Sequence, residues 1–326
     1  MTRMLAGQIV GPRQVEMVEV PIPEIGEGQI LIKVEAGAIC GSDLPYFSCD
    51  FSYATVATHS IPFPPGLSLH ELVGRVAQSR TARFKEGDRV LALPEPAHAG
   101  LAQYFVSSSD LAVPIPNGPA EQLVVSQPLG TVVHACLKLP NLLGSTAVVL
   151  GQGPTGQLFT ALLRKMGVRR LVAVDLLPER LRVSTSMGAT HTLAGAPGEV
   201  LNAVQVITDG TGADIAIEAT GQVEVLNLAT KLVRRNGTVL VFGVPQMHNY
   251  DLALNDFFFN EGRLINSVGP NVQHDFPIAV DLIASGAIDI TPLLTHRLPF
   301  SRAQEAFTLF ADRAQGAIKV VLMAET

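Results

Sequence analysis

The spacing of apolar residues changes character part way along the chain. In the first third, apolar and polar positions alternate with a period of two. Gln29–Val34 (QILIKV), Leu72–Ala77 (LVGRVA) and Asp88–Leu93 (DRVLAL) have the pattern of half-buried strands. Turn-forming residues separate them at Gly26-Glu27-Gly28, Pro64-Pro65-Gly66 and Glu86-Gly87-Asp88. Short strands with frequent turns predict a barrel-like antiparallel domain.

Near Gln127 the pattern becomes one of short, wholly apolar strands alternating with helical stretches. Strands are predicted at Ala147–Leu150, Leu171–Asp175, Ile215–Glu218 and Thr238–Phe242. Helices are predicted at Gly156–Met166, Leu177–Met187 and Val223–Val233. Such alternation implies an α/β unit with a parallel sheet covered on both faces. A further helix is expected at Phe276–Ser285 and a last strand at Ala317–Leu322.

Composition narrows the function classes. Apolar residues make up 47% of the 326 and charged residues 16%, which fits two domains with large cores and a buried subunit interface. No apolar run approaches the roughly 18–20 residues that span a bilayer, and Met1–Val10 lacks the features of a signal peptide. The net charge of −6, without a dense basic patch, argues against a nucleic-acid partner. Three cysteines, Cys40, Cys49 and Cys136, suit a reducing cytoplasm better than a disulfide framework.

Thr146–Leu150 runs directly into Gly151-Gln152-Gly153-Pro154-Thr155-Gly156. This is G-x-G-x-x-G between a strand and a helix. The first glycine makes the tight turn, the second admits a pyrophosphate, and the third lets helix and strand pack closely. The helix N-terminus presents free N–H groups to the phosphates. Asp175 closes the next strand, where an acid can accept hydrogen bonds from both ribose hydroxyls of NAD and repel the extra phosphate of NADP. Arg180 could lie along the adenosine ribose or be an ordinary solvated helix arginine; the sequence leaves both open.

Cys40-Gly41-Ser42-Asp43 follows a strand, and His70-Glu71 enters another. A thiolate and an imidazole suit zinc, with a carboxylate or water to complete a tetrahedral site. On spacing alone, a core cysteine and a satisfied histidine explain the pair equally well.

Taken together, these segments resemble the medium-chain dehydrogenase/reductase superfamily, in its zinc alcohol and polyol (sorbitol/threonine dehydrogenase-like) branch. The resemblance is carried by Cys40–Asp43, by His70-Glu71 before Val73-Gly74, and by Phe84–Val90. Gly151–Gly156 with Asp175, Leu282–Leu298 and Gly316–Val321 extend it over nearly the whole chain. It implies a doubly wound Rossmann domain over 128–269 and a β-rich GroES-like catalytic domain in two segments, 1–127 and 270–326, with the active site in the cleft between them. It also implies a homodimer or homotetramer.

The resemblance assigns roles residue by residue. Cys40, His70 and Glu71 match zinc ligands. Ser42 matches the hydroxyl that passes the substrate proton outward. Asp43 matches an acid that orients a ligand, and Thr131 a residue against the nicotinamide. Gly151, Gly153, Pro154, Gly156, Asp175 and Arg180 fall to the cofactor. The implied chemistry is zinc-assisted hydride transfer from a small alcohol to NAD, giving a ketone.

Three departures modify this expectation. The four-cysteine lobe that holds a structural zinc is missing between Val90 and Tyr104, so one zinc per chain is expected at most. Gln127 stands where the family often has glutamate, and is a poorer ligand that could hold a water or touch substrate instead. The stretch Phe47–Pro65, with Cys49 and His59, is longer than usual and could cover the substrate, while Pro45 replaces a relay histidine. His134, Cys136 and His296 read as packed residues, and Phe257-Phe258-Phe259 as core or subunit contact. Two other readings remain: a metal-free quinone or enoyl reductase on the same scaffold, and a catalytically silent NAD-binding protein.

Overall fold

Alternating burial begins at the first strand of the computed structural model, which describes residues 3–51 and 60–325. Residues 52–59 of the long Phe47–Pro65 stretch, His59 among them, lie outside the described residues. Strand β1 (Arg3–Gly11) pairs antiparallel with β2 (Gln14–Pro21). Strand β3 (Gln29–Ala38) is followed by a 3-10 turn, Gly41–Asp43, and a short helix α1 (Leu44–Ser48). Then come β4 (Glu71–Ser79), β5 (Arg89–Ala92), β6 (Tyr104–Ser108), β7 (Ala112–Pro114) and the one-turn helix α2 (Ala120–Leu123). Helix α3 (Ser126–Cys136) leads into the second unit.

That unit comprises residues 131–270. Its elements are β8 (Thr146–Leu150), α4 (Pro154–Lys165), β9 (Arg170–Val174), α5 (Pro178–Ser186), β10 (His191–Leu193) and α6 (Pro197–Ile207). They continue with β11 (Ala213–Glu218), α7 (Val223–Leu232), β12 (Val233–Val241), α8 (Leu254–Phe259) and β13 (Arg263–Asn266). The strands form one parallel sheet in the order β10-β9-β8-β11-β12-β13. Strand order reverses between β8 and β11, the position where doubly wound sheets open a ligand crevice. Every residue of β8 is buried, as a strand covered on both faces requires. Leu226, Ala229 and Leu232 of α7 pack on one side of Val148, Val172 and Val239.

The chain then returns to the first unit, residues 1–130 with 271–326. It adds α9 (Val272–Ala284), β14 (Leu294–Pro299), α10 (Ala303–Asp312) and β15 (Lys319–Met323). Here the sheet order is β14-β15-β3-β4-β5-β7, with β6 also on β3. All its pairings are antiparallel except β14 with β15. Phe307 and Phe310 of α10 share a core with Ile32, Phe47, Leu69 and Leu322. The consequence for chemistry is that β15 lies beside β3, with Val321 opposite Ala38, two residues before Cys40.

The last helix predicted before the C-terminal strand starts earlier than its sequence suggests. Pro277 favours a first turn at Phe276, yet the helix begins at Val272, because the Asp275 carboxylate accepts the Asn271 N–H at 2.7 Å. No helix among the described residues is long and apolar enough to cross a membrane.

Candidate active site

Cys40 sits where β3 ends and the chain tightens into a 3-10 turn. Asp43 closes that turn from within. Its Oδ2 accepts the Cys40 N–H at 2.8 Å, and its own N–H donates to the Cys40 carbonyl at 3.1 Å. The Asp43 side chain is fully buried, and its other oxygen lies 3.2 Å from His70 Nδ1. An ionised carboxylate only accepts, so Nδ1 carries the hydrogen and Nε2 is left as the ligating nitrogen. Burial would raise the Asp43 carboxyl, but the charge and hydrogen bond of His70 outweigh it and hold the group well below the usual carboxylate range. Burial likewise disfavours a charged His70, yet Asp43 holds that imidazole well above its ordinary value.

Glu71, the first residue of β4, is completely enclosed. Burial pushes its carboxyl up, against the pull of Lys319. Lys319 is equally enclosed. It forms an ion pair with Glu71 Oε2 and donates to the Ile39 carbonyl at 3.1 Å. Glu71 Oε1 has no hydrogen-bond partner among the described residues. A buried carboxylate oxygen in that state calls for a cation or a donor.

Donor atoms of Cys40, His70 and Glu71 all lie within 4.8 Å of one another. Sulfur, imidazole nitrogen and carboxylate oxygen form a set that suits zinc with one position left open, and the orphaned Glu71 oxygen fits such an ion. Ser42 Oγ, half-buried, lies 3.5 Å from His70 Nε2, on the ligating side of the ring. Gln127 is buried in the first turn of α3, and no hydrogen bond among the described residues ties its side chain to this group. Pro45 is buried in α1 and offers no donor for a relay.

Two further residues complete the cluster, and the sequence reading missed both. Lys319 left one faint signal, a charge inside the apolar run Ile318–Leu322. His98 left none. It lies in a loop, with Nδ1 3.5 Å from Asp43 Oδ1 and its ring centroid 4.5 Å from that of His70.

The glycine turn belongs to the second unit. Gly151 has φ +92, and its N–H donates to the Val174 carbonyl at 2.9 Å. A Cβ on Gly156 would stand 1.8 Å from the Gly151 carbonyl oxygen, so no larger residue fits this crossing of turn and helix. Gly153 caps α4, with Pro154 in the first turn. Asp175 accepts the Gln152 N–H at 2.7 Å and the Leu177 N–H at 2.9 Å, which fixes its carboxylate at the end of β9 beside the turn. Arg180 is not a solvated helix arginine. Only 12% of its side chain is exposed, and its guanidinium lies 3.6 Å from Asp175 Oδ2. Thr131 lies in the middle of α3.

The remaining sequence candidates fall elsewhere. Cys136 is buried, which pushes its thiol up. Cys49 Sγ faces the Tyr46 carbonyl at 3.6 Å. His134 is on α3, and His296 on β14 meets Thr295 Oγ1 at 3.1 Å. The phenylalanine run divides: Phe257 joins the core, while Phe258 and Phe259 are exposed.

The chain is similar to known proteins along most of its length. Residues 26–117 match the family model described as an alcohol dehydrogenase GroES-like domain, and 154–285 the one described as a zinc-binding dehydrogenase. Sorbitol dehydrogenase of Bacillus subtilis is 26% identical over 98% of this chain and 97% of its own. L-threonine 3-dehydrogenase of Bacillus velezensis is 27% identical over 94% of each. The fold matches L-idonate 5-dehydrogenase of Escherichia coli with a TM-score of 0.86 at 22% identity, over 99% of this chain and 98% of that one. It matches 2R,3R-butanediol dehydrogenase of Bacillus subtilis with a TM-score of 0.85 at 22% identity, over 99% and 100%. The chain belongs to the medium-chain dehydrogenase/reductase superfamily, in its zinc-type alcohol and polyol dehydrogenase branch, and is an oxidoreductase with GroES-like and Rossmann domains.

Proposed function

We propose that this protein is a zinc-dependent dehydrogenase that oxidises a secondary alcohol of polyol or sugar-like class to a ketone, with NAD as hydride acceptor. The observation that carries the reading is the convergence of Cys40, His70 and Glu71 around an orphaned carboxylate oxygen. The sorbitol and threonine dehydrogenase relatives support the substrate class.

Zinc, when bound, supplies Lewis acidity that lowers the pKa of a substrate hydroxyl. The chain's own residues do the rest. Cys40, His70 and Glu71 hold the ion, one per chain. Asp43 fixes the His70 ring and, through the Cys40 N–H, the turn that carries the thiolate. Ser42 Oγ accepts the proton leaving the substrate hydroxyl and passes its own outward to water, since Pro45 offers no next donor in a longer relay. Gln127, an amide on α3, touches a water or the substrate.

On the second unit, Gly151, Gly153, Pro154 and Gly156 bring backbone and the α4 N-terminus to the pyrophosphate. The carboxylate of Asp175 accepts from the adenosine ribose hydroxyls and repels a 2′-phosphate, Arg180 lies along that ribose, and Thr131 packs against the nicotinamide. Subunits associate as a homodimer or homotetramer through the β13 edge, where Leu264 is exposed, and the preceding helix α8, where Phe258 and Phe259 are exposed. Three cysteines without a disulfide suit the cytoplasm.

A panel of polyols and secondary alcohols with NAD, followed by NADH absorbance, tests the reading. Oxidation of at least one alcohol, lost at least about 100-fold in Cys40→Ala, is the expected result. Tight NADH binding with no alcohol oxidised would overturn it, and a preference for NADPH would favour the metal-free reductase.

A further inference from the structure

His98 is held against the candidate metal centre from three sides. Its carbonyl accepts the Leu69 N–H at 3.0 Å, which ties its loop to the residue before His70, and the Gly100 N–H returns to the Leu69 carbonyl at 3.1 Å. Its backbone has φ +63, a conformation that side chains other than glycine adopt uncommonly. Its ring lies between those of His70, at a centroid distance of 4.5 Å, and Tyr46, at 5.3 Å.

Within this enclosure His98 Nδ1 is buried and has no aligned hydrogen-bond partner among the described residues. Its nearest charged atom is Asp43 Oδ1, at 3.5 Å, the same oxygen that faces His70 Nδ1. A buried imidazole nitrogen left unmatched is destabilising. A small rotation of the Asp43 carboxylate or of the ring would align it, and the oxygen has a second lone pair for it.

We propose that His98 is a positioning residue: it braces the Asp43 carboxylate from the side opposite the Cys40 turn, and so fixes His70 in the orientation that ligates the metal. The proposal rests on the zinc reading above. In this proposal His98 acts through Asp43 and is not itself a ligand.

The test compares the wild type with His98→Phe, which keeps a ring between His70 and Tyr46, and His98→Asn, which restores an N–H donor. Zinc affinity is measured by competition with a chelator, and the visible absorption of the cobalt-loaded protein reports ligand geometry. Melting of the metal-free proteins verifies folding. In His98→Phe, zinc affinity is expected to fall about tenfold and the cobalt bands to shift, with His98→Asn recovering most of both. Unchanged affinity and bands in His98→Phe would overturn the proposal and leave the zinc reading standing. Equal losses in both variants would assign His98 to packing alone and overturn it as well. A wild-type protein that binds neither metal would bring down the zinc reading and this proposal with it.

Discussion

Lys319, on the last strand, pairs with Glu71 on β4, and both side chains are shut away from solvent. The one carboxylate of the candidate ligand set is therefore already balanced by a cation. Removing that cation leaves a buried charge uncompensated, which costs about 3–5 kcal/mol. Lys319→Met is expected to lower the melting temperature of the metal-free protein markedly. Zinc, able to replace the lost charge, should then raise it more than it raises the wild type. Equal zinc-induced shifts in the two proteins would contradict a link between Lys319 and the metal centre.

The Asp43–His70 contact predicts a pH window. Asp43 is depressed, so its contribution is present above its ordinary value of 3.8 and is lost as pH falls toward the folded value. His70 is raised, so its contribution is complete below its ordinary value of 6.5 and is lost as pH rises through the folded value. In the metal-free protein the pair thus stabilises most between those two ordinary values. Asp43→Asn should cost about 3 kcal/mol within that window and progressively less on either side. Denaturant unfolding at a series of pH values measures the difference, and a cost independent of pH would refute the assignment.

Asp175 should set cofactor choice. Asp175→Ser removes the charge that would accept from the ribose and repel a phosphate. NADH affinity is expected to fall about tenfold, with NADPH affinity unchanged or improved. Fluorescence titration of both cofactors reads this directly, and a parallel loss of both would mean that Asp175 serves only to shape the turn.

The exposed pair Phe258 and Phe259, beside the β13 edge, predicts self-association. Replacing both with Asp should weaken assembly by at least about 100-fold, since a buried carboxylate pair opposes contact. Sedimentation of variant and wild type gives the masses. Identical assembly in both would move the interface elsewhere.

What the sequence made legible was local. The glycine turn, Asp175 and the pairs Cys40–Asp43 and His70–Glu71 are short-range patterns whose chemistry can be read from neighbouring residues. The covered strands β8 and β9 were equally readable, since burial on both faces leaves the apolar runs Ala147–Leu150 and Leu171–Val174. Lys319 and His98 were hidden because their roles depend on long-range pairing: β15 on β3 for one, and the Leu69–His98 backbone contact for the other. Helix α6 was hidden for a different reason. Gly195, Pro197 and Gly198 weaken its helical pattern, while the structure caps the helix with Glu199, whose carboxylate accepts the Ala196 N–H at 2.9 Å. The β1–β2 hairpin escaped notice because Gly7 and Gly11 interrupt the alternation.

The central claim, that Cys40, His70 and Glu71 hold a catalytic zinc, is tested most directly by the zinc content of the purified, untagged protein beside that of Cys40→Ser. The account predicts about one zinc per chain in the wild type and about a tenth of that or less in the variant. A wild type without zinc, or a variant that keeps it in full, would contradict the account.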